Sequence, residues 1–149
     1  MNVNKLNEDM EFILKKDNKE INVKDFSPLV LAYIGDAVFE VLVRSKILSF
    51  GNTPVNIMNR KTIKFVNAKS QSNMYFKIKD ILTEEEKTIF RRGRNAKSNT
   101  IPKNANIFDY KHATGLESVI GYLYLSNNME RALEIFNVGF NSILDDLRK

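Results

Sequence analysis

The sequence has no cysteine and no tryptophan, and it has only three prolines and six glycines among its 149 residues. A chain without cysteine forms neither disulfides nor thiolate metal sites, which fits a reducing cytoplasm. Few prolines and glycines disfavour a turn-rich β fold and favour helices. No apolar run approaches the roughly 20 residues that cross a membrane, and residues 1–20 lack the apolar centre of a signal peptide. We therefore expect a cytoplasmic protein with no membrane partner.

Helical patterns cover most of the chain. Ser27-Pro28 is typical of a helix start and Gly51 of a helix stop, and Thr53-Pro54 repeats the start signal before a helix that reaches Ala68. Further helices are predicted at about 72–82, from the capping box at 83–86 to about 93, from about 109 onwards, and at about 129–147. No strand pattern is present. The sequence thus predicts an all-α fold of about six or seven helices, with residues 1–24 as a peripheral extension and 25–149 as one domain.

Two isolated acidic residues interrupt apolar helical segments. Residues 29–39 are hydrophobic almost all the way round and contain Asp36, and residues 113–123 have the same pattern around Glu117. A helix that is apolar on every side is typically buried. A buried carboxylate is costly unless it is paired, hydrogen-bonded or bound to a metal. Glu40, one turn after Asp36, marks either an outer partner of such a site or the exposed edge of the helix.

Small residues stand beside both acids, and they allow two helices to approach closely. Gly35 and Ala37 flank Asp36, and Gly121 lies one turn after Glu117. Two convergent carboxylates make an all-oxygen site that suits Mg²⁺ or Mn²⁺. Such an ion generates hydroxide from water and neutralises charge on a phosphate. The alternative is structural, with each acid hydrogen-bonded to the backbone or to a lysine.

Positive charge is segregated along the chain, although the net charge is only +5. No acidic residue occurs between Glu40 and Asp80, or from Lys87 to Phe108, and the second stretch contains a basic loop at about 94–107. Segregation of this kind favours a polyanionic partner, and the alternative is a set of solvated lysine-rich faces. The candidate binding residues are Arg60, Lys61, Lys64, Lys69, Arg91, Arg92, Arg94, Lys97 and Lys103.

Ordered motifs along the chain resemble those of the ribonuclease III family. Tyr33-Ile34-Gly35-Asp36-Ala37-Val38 is similar to the family signature that supplies a metal-binding aspartate, and Glu117-Ser118-Val119-Ile120-Gly121 is similar to its second motif. From about residue 26 to 147 the chain most closely resembles Mini-ribonuclease III, a bacterial group without the double-stranded-RNA-binding domain. The other matching motifs lie at 67–71, 83–86, 91–98, 102–104 and 121–123.

The sequence keeps only one acid of each ribonuclease III motif. Where the family has two glutamates before the signature aspartate, this chain has Leu29 and Ala32. Where the family has an aspartate before the second glutamate, it has Thr114. Mini-ribonuclease III shows the same departures, so they support that resemblance. Water, Thr114 or a substrate phosphate are the candidates for the remaining metal ligands.

The resemblance implies a Mg²⁺-dependent endoribonuclease, with Mn²⁺ as a substitute, in which Asp36 and Glu117 are the catalytic metal ligands. It implies a homodimer that cuts both strands of double-stranded RNA and leaves 5′-phosphate and 3′-hydroxyl ends. Exposed apolar faces of the late helices are candidates for the dimer interface. The implied substrate is a precursor of large-subunit (23S-type) ribosomal RNA, and a ribosomal protein is a candidate for presenting it. The basic residues would hold the duplex by its shape, through phosphate and 2′-hydroxyl contacts.

Two other functions compete with this one. A non-catalytic ribonuclease III-like protein that binds structured ribosomal RNA would explain the missing acids, but not the retention of Asp36 and Glu117. A helical interaction domain with a basic face leaves both motifs unexplained. His112 is the only histidine, and a lone histidine near a helix start is more often structural or exposed than a general base.

Overall fold

The structure is a computed structural model that describes residues 22–98 and 101–149. Within these ranges there are six α-helices, two short 3₁₀ turns and no strand, so the all-α prediction is confirmed. Most of the predicted extension, residues 1–21, lies outside the described residues, and the division at residue 24 stays a prediction. None of the described helices is long and apolar enough to cross a membrane. The helices are α1 (Pro28–Leu48), α2 (Val55–Val66), α3 (Ala68–Ile78), α4 (Glu84–Asn95), α5 (Ile107–Leu125) and α6 (Met129–Leu147).

Helix α5 lies at the centre of the molecule. It packs most extensively against α1, and also against α3, α4 and α6. Helix α6 covers α3, and α2 packs on α1. Because ten of its nineteen residues are buried, α5 has almost no solvent-facing side. The largest fully buried side chains of the core include Phe39, Phe140, Leu31, Met74, Ile78 and Leu116.

Side-chain caps set the helix boundaries that differ from the sequence-based prediction. Asn67 has extended backbone angles, and its Oδ1 accepts a hydrogen bond from the Ser70 amide at 2.8 Å. This cap ends α2 at Val66 and starts α3 at Ala68, so the predictions of one helix through Ala68 and another from 72 were wrong. Asn106 likewise starts α5 at Ile107, two residues earlier than expected. The predicted capping box at the start of α4 is confirmed, although that helix continues to Asn95.

Helices α1 and α5 cross with their backbones in contact at two glycines. A Cβ atom at Gly35 would overlap the carbonyl oxygen of Glu117, and one at Gly121 would lie 2.9 Å from the carbonyl carbon of Leu31. No other residue permits such an approach without displacing a helix. The small residues recognised beside the two acids therefore do bring the two helices together.

Helix α1 is apolar all round but is not buried all round, so the expectation of a fully buried helix was wrong. Its exposed apolar side chains recur at helical spacing, and Tyr33 is 81% exposed and Val41 62% exposed. The helix therefore buries one face against α5 and presents another, equally apolar face to solvent. The exposed apolar residues of this face are Val30, Tyr33, Val41 and Leu48.

Candidate active site

The two acids singled out in the sequence meet where α1 crosses α5. Asp36 follows Gly35, which lies against the Glu117 backbone, so both acids belong to the same close contact between the helices. They differ in exposure, because Asp36 lies on the exposed edge of α1 whereas Glu117 is largely covered. The expectation that Asp36 is enclosed inside a buried helix was therefore wrong, while its juxtaposition with Glu117 is observed.

The surroundings of both carboxyl groups raise their pKa values. Burial and the nearby Asp36 charge raise the pKa of Glu117 to about 8, although a hydrogen bond from the Gln71 side chain acts in the opposite direction. Burial and the charge of Glu40 raise the pKa of Asp36. Neither Asp36 nor Glu117 forms an ion pair with any residue of 22–98 or 101–149. The structural alternative, neutralisation by a lysine, therefore finds no support in the described part of the chain.

The donor set of this site fits a hard divalent cation. It offers two carboxylates, and no group of three acidic or histidine side chains that could hold a metal occurs among the residues described. An ion that keeps several waters, as Mg²⁺ does, needs only one or two protein carboxylates. A divalent charge would also remove the repulsion that raises the pKa of Glu117. Asp36 and Glu117 can therefore hold such an ion, with water or substrate oxygens as the other ligands.

Gln71 is a member of this site that the sequence analysis missed as a functional residue. It lies on the first turn of α3, is 2% exposed and lies close enough to the Glu117 carboxyl group to lower its pKa. Its Nε2 also donates to the carbonyl oxygen of Val66 at 3.1 Å. The only signal in the sequence was its place within the matching motif at 67–71, and that motif carried no role for it.

The hydroxyl groups nearest to Glu117 along α5 donate hydrogen bonds to backbone carbonyl oxygens. Thr114 donates to the carbonyl oxygen of Tyr110 at 2.9 Å, within its own helix. Ser118 is fully buried and donates to the carbonyl oxygen of Pro28 at 3.0 Å, which ties α5 to the start of α1. The proton of the Thr114 hydroxyl is thus committed, and only its oxygen lone pairs remain for a ligand.

Two other candidate residues have structural roles. Glu40 forms an ion pair with Arg44 at 2.8 Å on the exposed side of α1, so it marks the edge of that helix. His112 is buried in an aromatic cluster with Tyr75 and Phe108, and its Nδ1 lies 2.8 Å from the Phe108 carbonyl oxygen. A structural histidine, the more frequent case for such a residue, is what the structure contains.

The predicted RNA-binding residues lie at the surface in two groups. The first group is at the end of α4 and in the segment after it, and comprises Arg91, Arg92, Arg94, Lys97 and Lys103. It is anchored near the acids because Gly93 lies against Ser118, the residue that follows Glu117. The second group follows α2 into α3 and comprises Arg60, Lys61, Lys64 and Lys69. Lys69 is exposed on α3, the helix that also carries Gln71.

Two residues of the second group also border a cavity. Lys61 and Lys64 line a space of about 370 Å³ together with Arg148 at the end of α6. Its remaining lining is apolar and consists of Phe50, Phe65, Leu144 and Leu147. The cations at this end of α2 therefore surround an apolar depression.

Known proteins are similar to this chain in sequence and in fold. The Ribonuclease III domain family matches residues 29–128, which include both acids. The chain belongs to the ribonuclease III family. It is 49% identical to a Mini-ribonuclease 3 of Clostridium tetani, over 88% of this chain and 87% of that protein. It is 46% identical to a Mini-ribonuclease 3 of Thermoanaerobacter, over 85% of this chain and 92% of that protein.

A solved structure agrees with these relatives. A crystal structure of a Fusobacterium nucleatum protein, 37% identical, superposes with a TM-score of 0.72 and covers 83% of this chain and 98% of that one. The chain is therefore an endoribonuclease of the Mini-ribonuclease III group, as its motifs indicated. This membership favours the enzyme over both the non-catalytic RNA binder and the helical interaction domain.

Proposed function

We propose that this endoribonuclease is a Mg²⁺-dependent homodimer that cleaves double-stranded RNA in the maturation of a ribosomal RNA precursor. The observation that carries the proposal is the convergence of Asp36 and Glu117 at the glycine crossing of α1 and α5. Two carboxyl groups without a cationic partner among the described residues form an arrangement that a divalent cation would complete. The composition of the site supports the proposed metal dependence.

Asp36 and Glu117 are the proposed catalytic metal ligands for Mg²⁺, and Mn²⁺ can substitute because it accepts the same oxygen donors. When bound, the cation supplies a hydroxide nucleophile and neutralises charge developing on the cleaved phosphate. Glu117 would hold the cation as a carboxylate, and its pKa of about 8, which reflects burial and the Asp36 charge, means that cation binding would be coupled to loss of its proton. Asp36, at the exposed edge of α1, is the ligand that faces an incoming RNA.

Double-stranded RNA is the proposed substrate because exposed cations lie near the acid pair. The group at the end of α4 is anchored beside Ser118, the residue that follows Glu117. Long, exposed cations suit recognition of A-form RNA by its shape, through phosphates and 2′-hydroxyl groups.

A homodimer is proposed because α1 presents an uncovered apolar face beside the site. Tyr33 and Val41 lie on this face, on the same helix as Asp36. Contiguous exposed apolar surface on a soluble domain favours association, and a symmetric pair buries the same face on both subunits. Two subunits would supply two acid pairs, one for each strand of the duplex. The late helices, which the sequence suggested for the interface, expose Ile107 and Phe108 at the start of α5 and Val138 and Leu147 on α6.

The RNA precursor is assigned through the resemblance to Mini-ribonuclease III, which implies large-subunit ribosomal RNA. A ribosomal protein is the candidate partner that would present the cleavage site. Cleavage of defined ribosomal RNA precursors, measured with and without large-subunit ribosomal proteins, tests the choice of RNA separately from the cleavage chemistry.

The decisive experiment is cleavage of a long RNA duplex by purified wild type, Asp36→Asn and Glu40→Gln, each with Mg²⁺ and with EDTA. The wild type and Glu40→Gln are expected to cleave only with Mg²⁺, because Glu40 is paired with Arg44. Asp36→Asn is expected to bind the duplex without cleaving it. Cleavage by Asp36→Asn at the wild-type rate would overturn the assignment of the metal ligands.

A further inference from the structure

The amide nitrogen of Gln71 forms a hydrogen bond, whereas its amide oxygen does not. Nε2 donates to the Val66 carbonyl oxygen at 3.1 Å, and the side chain lies close enough to the Glu117 carboxyl group to lower its pKa. Oε1 is fully buried and accepts no hydrogen bond from the residues that the structure describes. Buried acceptors without a partner are rare in native proteins. The free oxygen is therefore available to a donor that the described residues do not supply.

The hydrogen bond from Nε2 to Val66 restricts where that oxygen points. The carboxamide is planar, so placing Nε2 against the Val66 carbonyl oxygen places Oε1 on the opposite branch. Val66 ends α2 and Gln71 lies on α3, so the side chain spans the break between these helices and reaches α5 at Glu117. A glutamine that served only to link the end of α2 to α3 would need only the hydrogen bond from Nε2 to the Val66 carbonyl oxygen. The break therefore does not explain why Oε1 is buried beside an acid pair.

We propose that Gln71 is a positioning residue for the acid pair, which orients the Glu117 carboxylate through Nε2 and accepts a hydrogen bond from a cation-bound water through Oε1. This inference rests on the proposed metal-dependent function. Mg²⁺ usually keeps several of its waters, and each bound water is a donor. Groups that orient metal ligands typically contribute about 10- to 100-fold to metal affinity or activity.

Gln71 is the only glutamine in the chain, which permits a test on the wild-type protein. Labelling with ¹⁵N-glutamine gives a single pair of side-chain NH₂ resonances. We expect titration with Mg²⁺ alone to shift this pair in the wild type and to leave it unchanged in Asp36→Asn. Resonances that do not move at Mg²⁺ concentrations that saturate cleavage would overturn the proposal.

A variant tests the same role through metal dependence. Gln71→Met keeps the volume and removes every hydrogen-bonding group of the side chain, so the half-saturating Mg²⁺ concentration is expected to rise by about 10- to 100-fold. The KM for duplex RNA should not change, because Gln71 is buried and does not reach the surface. Thr62→Val is the matched control, since Thr62 is also buried and donates to a backbone carbonyl oxygen, that of Met58 at 2.9 Å.

The outcomes separate this inference from the proposed function. Cleavage by Asp36→Asn would refute the metal-ligand assignment whatever Gln71 does. An inactive Asp36→Asn together with a Gln71→Met enzyme of wild-type Mg²⁺ dependence would refute the role of Gln71 alone. Equal losses of thermal stability in Gln71→Met and Thr62→Val, without a change in Mg²⁺ dependence, would reduce Gln71 to a packing residue. If Gln71→Met does not fold, the Mg²⁺ titration of the wild-type Gln71 side-chain resonances tests the proposal on its own.

Discussion

Gly35 lies against the backbone carbonyl of Glu117 so closely that a Cβ atom at position 35 would overlap the carbonyl oxygen. This contact determines the distance between α1 and α5, and therefore the distance between the acids that they carry. Catalytic geometry and fold stability depend on the same few atoms, because the carboxylates cannot converge unless the backbones do.

Gly35→Ala tests this dependence. The added methyl group must push α1 away from α5, and overpacking of this kind typically costs about 1–3 kcal/mol. We expect a lower melting temperature and a loss of cleavage larger than the loss of stability explains. Ser45→Ala, on an exposed position of the same helix, is the control and should change neither. A Gly35→Ala protein with wild-type stability would show that the crossing tolerates more separation than the structure indicates.

The acids could be recognised from the sequence because they break a pattern. A carboxylate inside an apolar helical segment is unusual enough to stand out, and the sequence has two such cases, Asp36 and Glu117. Gln71 could not be recognised in this way. A neutral polar residue on an amphipathic helix resembles a solvent-facing position, and only the packing of α3 on α5 shows that it is buried.

The two faces of α1 show a different limit of sequence reasoning. Apolar residues indicate that a surface avoids water, but they do not indicate whether the same chain or another molecule covers it. Tyr33 and Val41 therefore look like core residues in the sequence and are exposed in the single chain. The break at Asn67 shows the same dependence on context, since the helical pattern continues through it and the cap interrupts it.

The basic segment at the end of α4 is expected to contact phosphates. Replacing Arg91, Arg92 and Arg94 together with glutamine should weaken duplex binding and reduce the slope of log K against log salt by roughly one for each phosphate that is no longer neutralised. The control replaces Lys24, Lys77 and Lys149, which pair with Glu85 or Asp146 and carry the same total charge. Binding curves over a range of salt concentrations check the prediction. Equal slopes of log K against log salt for both triple variants would show that this segment does not contact the RNA.

The apolar face of α1 is expected to hold two subunits together. Val41→Asp places a charge in the middle of this face, and burying an unpaired charge is costly enough to prevent association. Sedimentation should show a dimer for the wild type and a monomer for Val41→Asp, with loss of cleavage of both strands. Val138→Asp, at an exposed apolar position on α6, is the control and should remain dimeric. A wild type that is monomeric at high concentration would contradict the two-strand mechanism.

The stability of the metal-free protein is expected to fall as the pH rises. The pKa of Glu117 is about 8 in the folded chain against an ordinary value of 4.5, so between these values the folded state binds the proton more tightly than the unfolded state. The stability that this proton contributes is fully present below the ordinary value and is lost as the pH rises through about 8. Each unit of raised pKa corresponds to about 1.4 kcal/mol.

Urea unfolding in EDTA from about pH 5 to about pH 9 measures this loss. Glu117→Gln, which has no proton to lose, should flatten the profile, and Asp36→Asn should make it shallower because it removes the neighbouring charge that helps to raise the pKa of Glu117. Mg²⁺ should also make the wild-type profile shallower, because the cation stabilises the ionised carboxylate in the folded state. Identical profiles for the wild type and Glu117→Gln would mean that Glu117 is ionised without a metal, and the cation would then not be needed to balance the charge of the site.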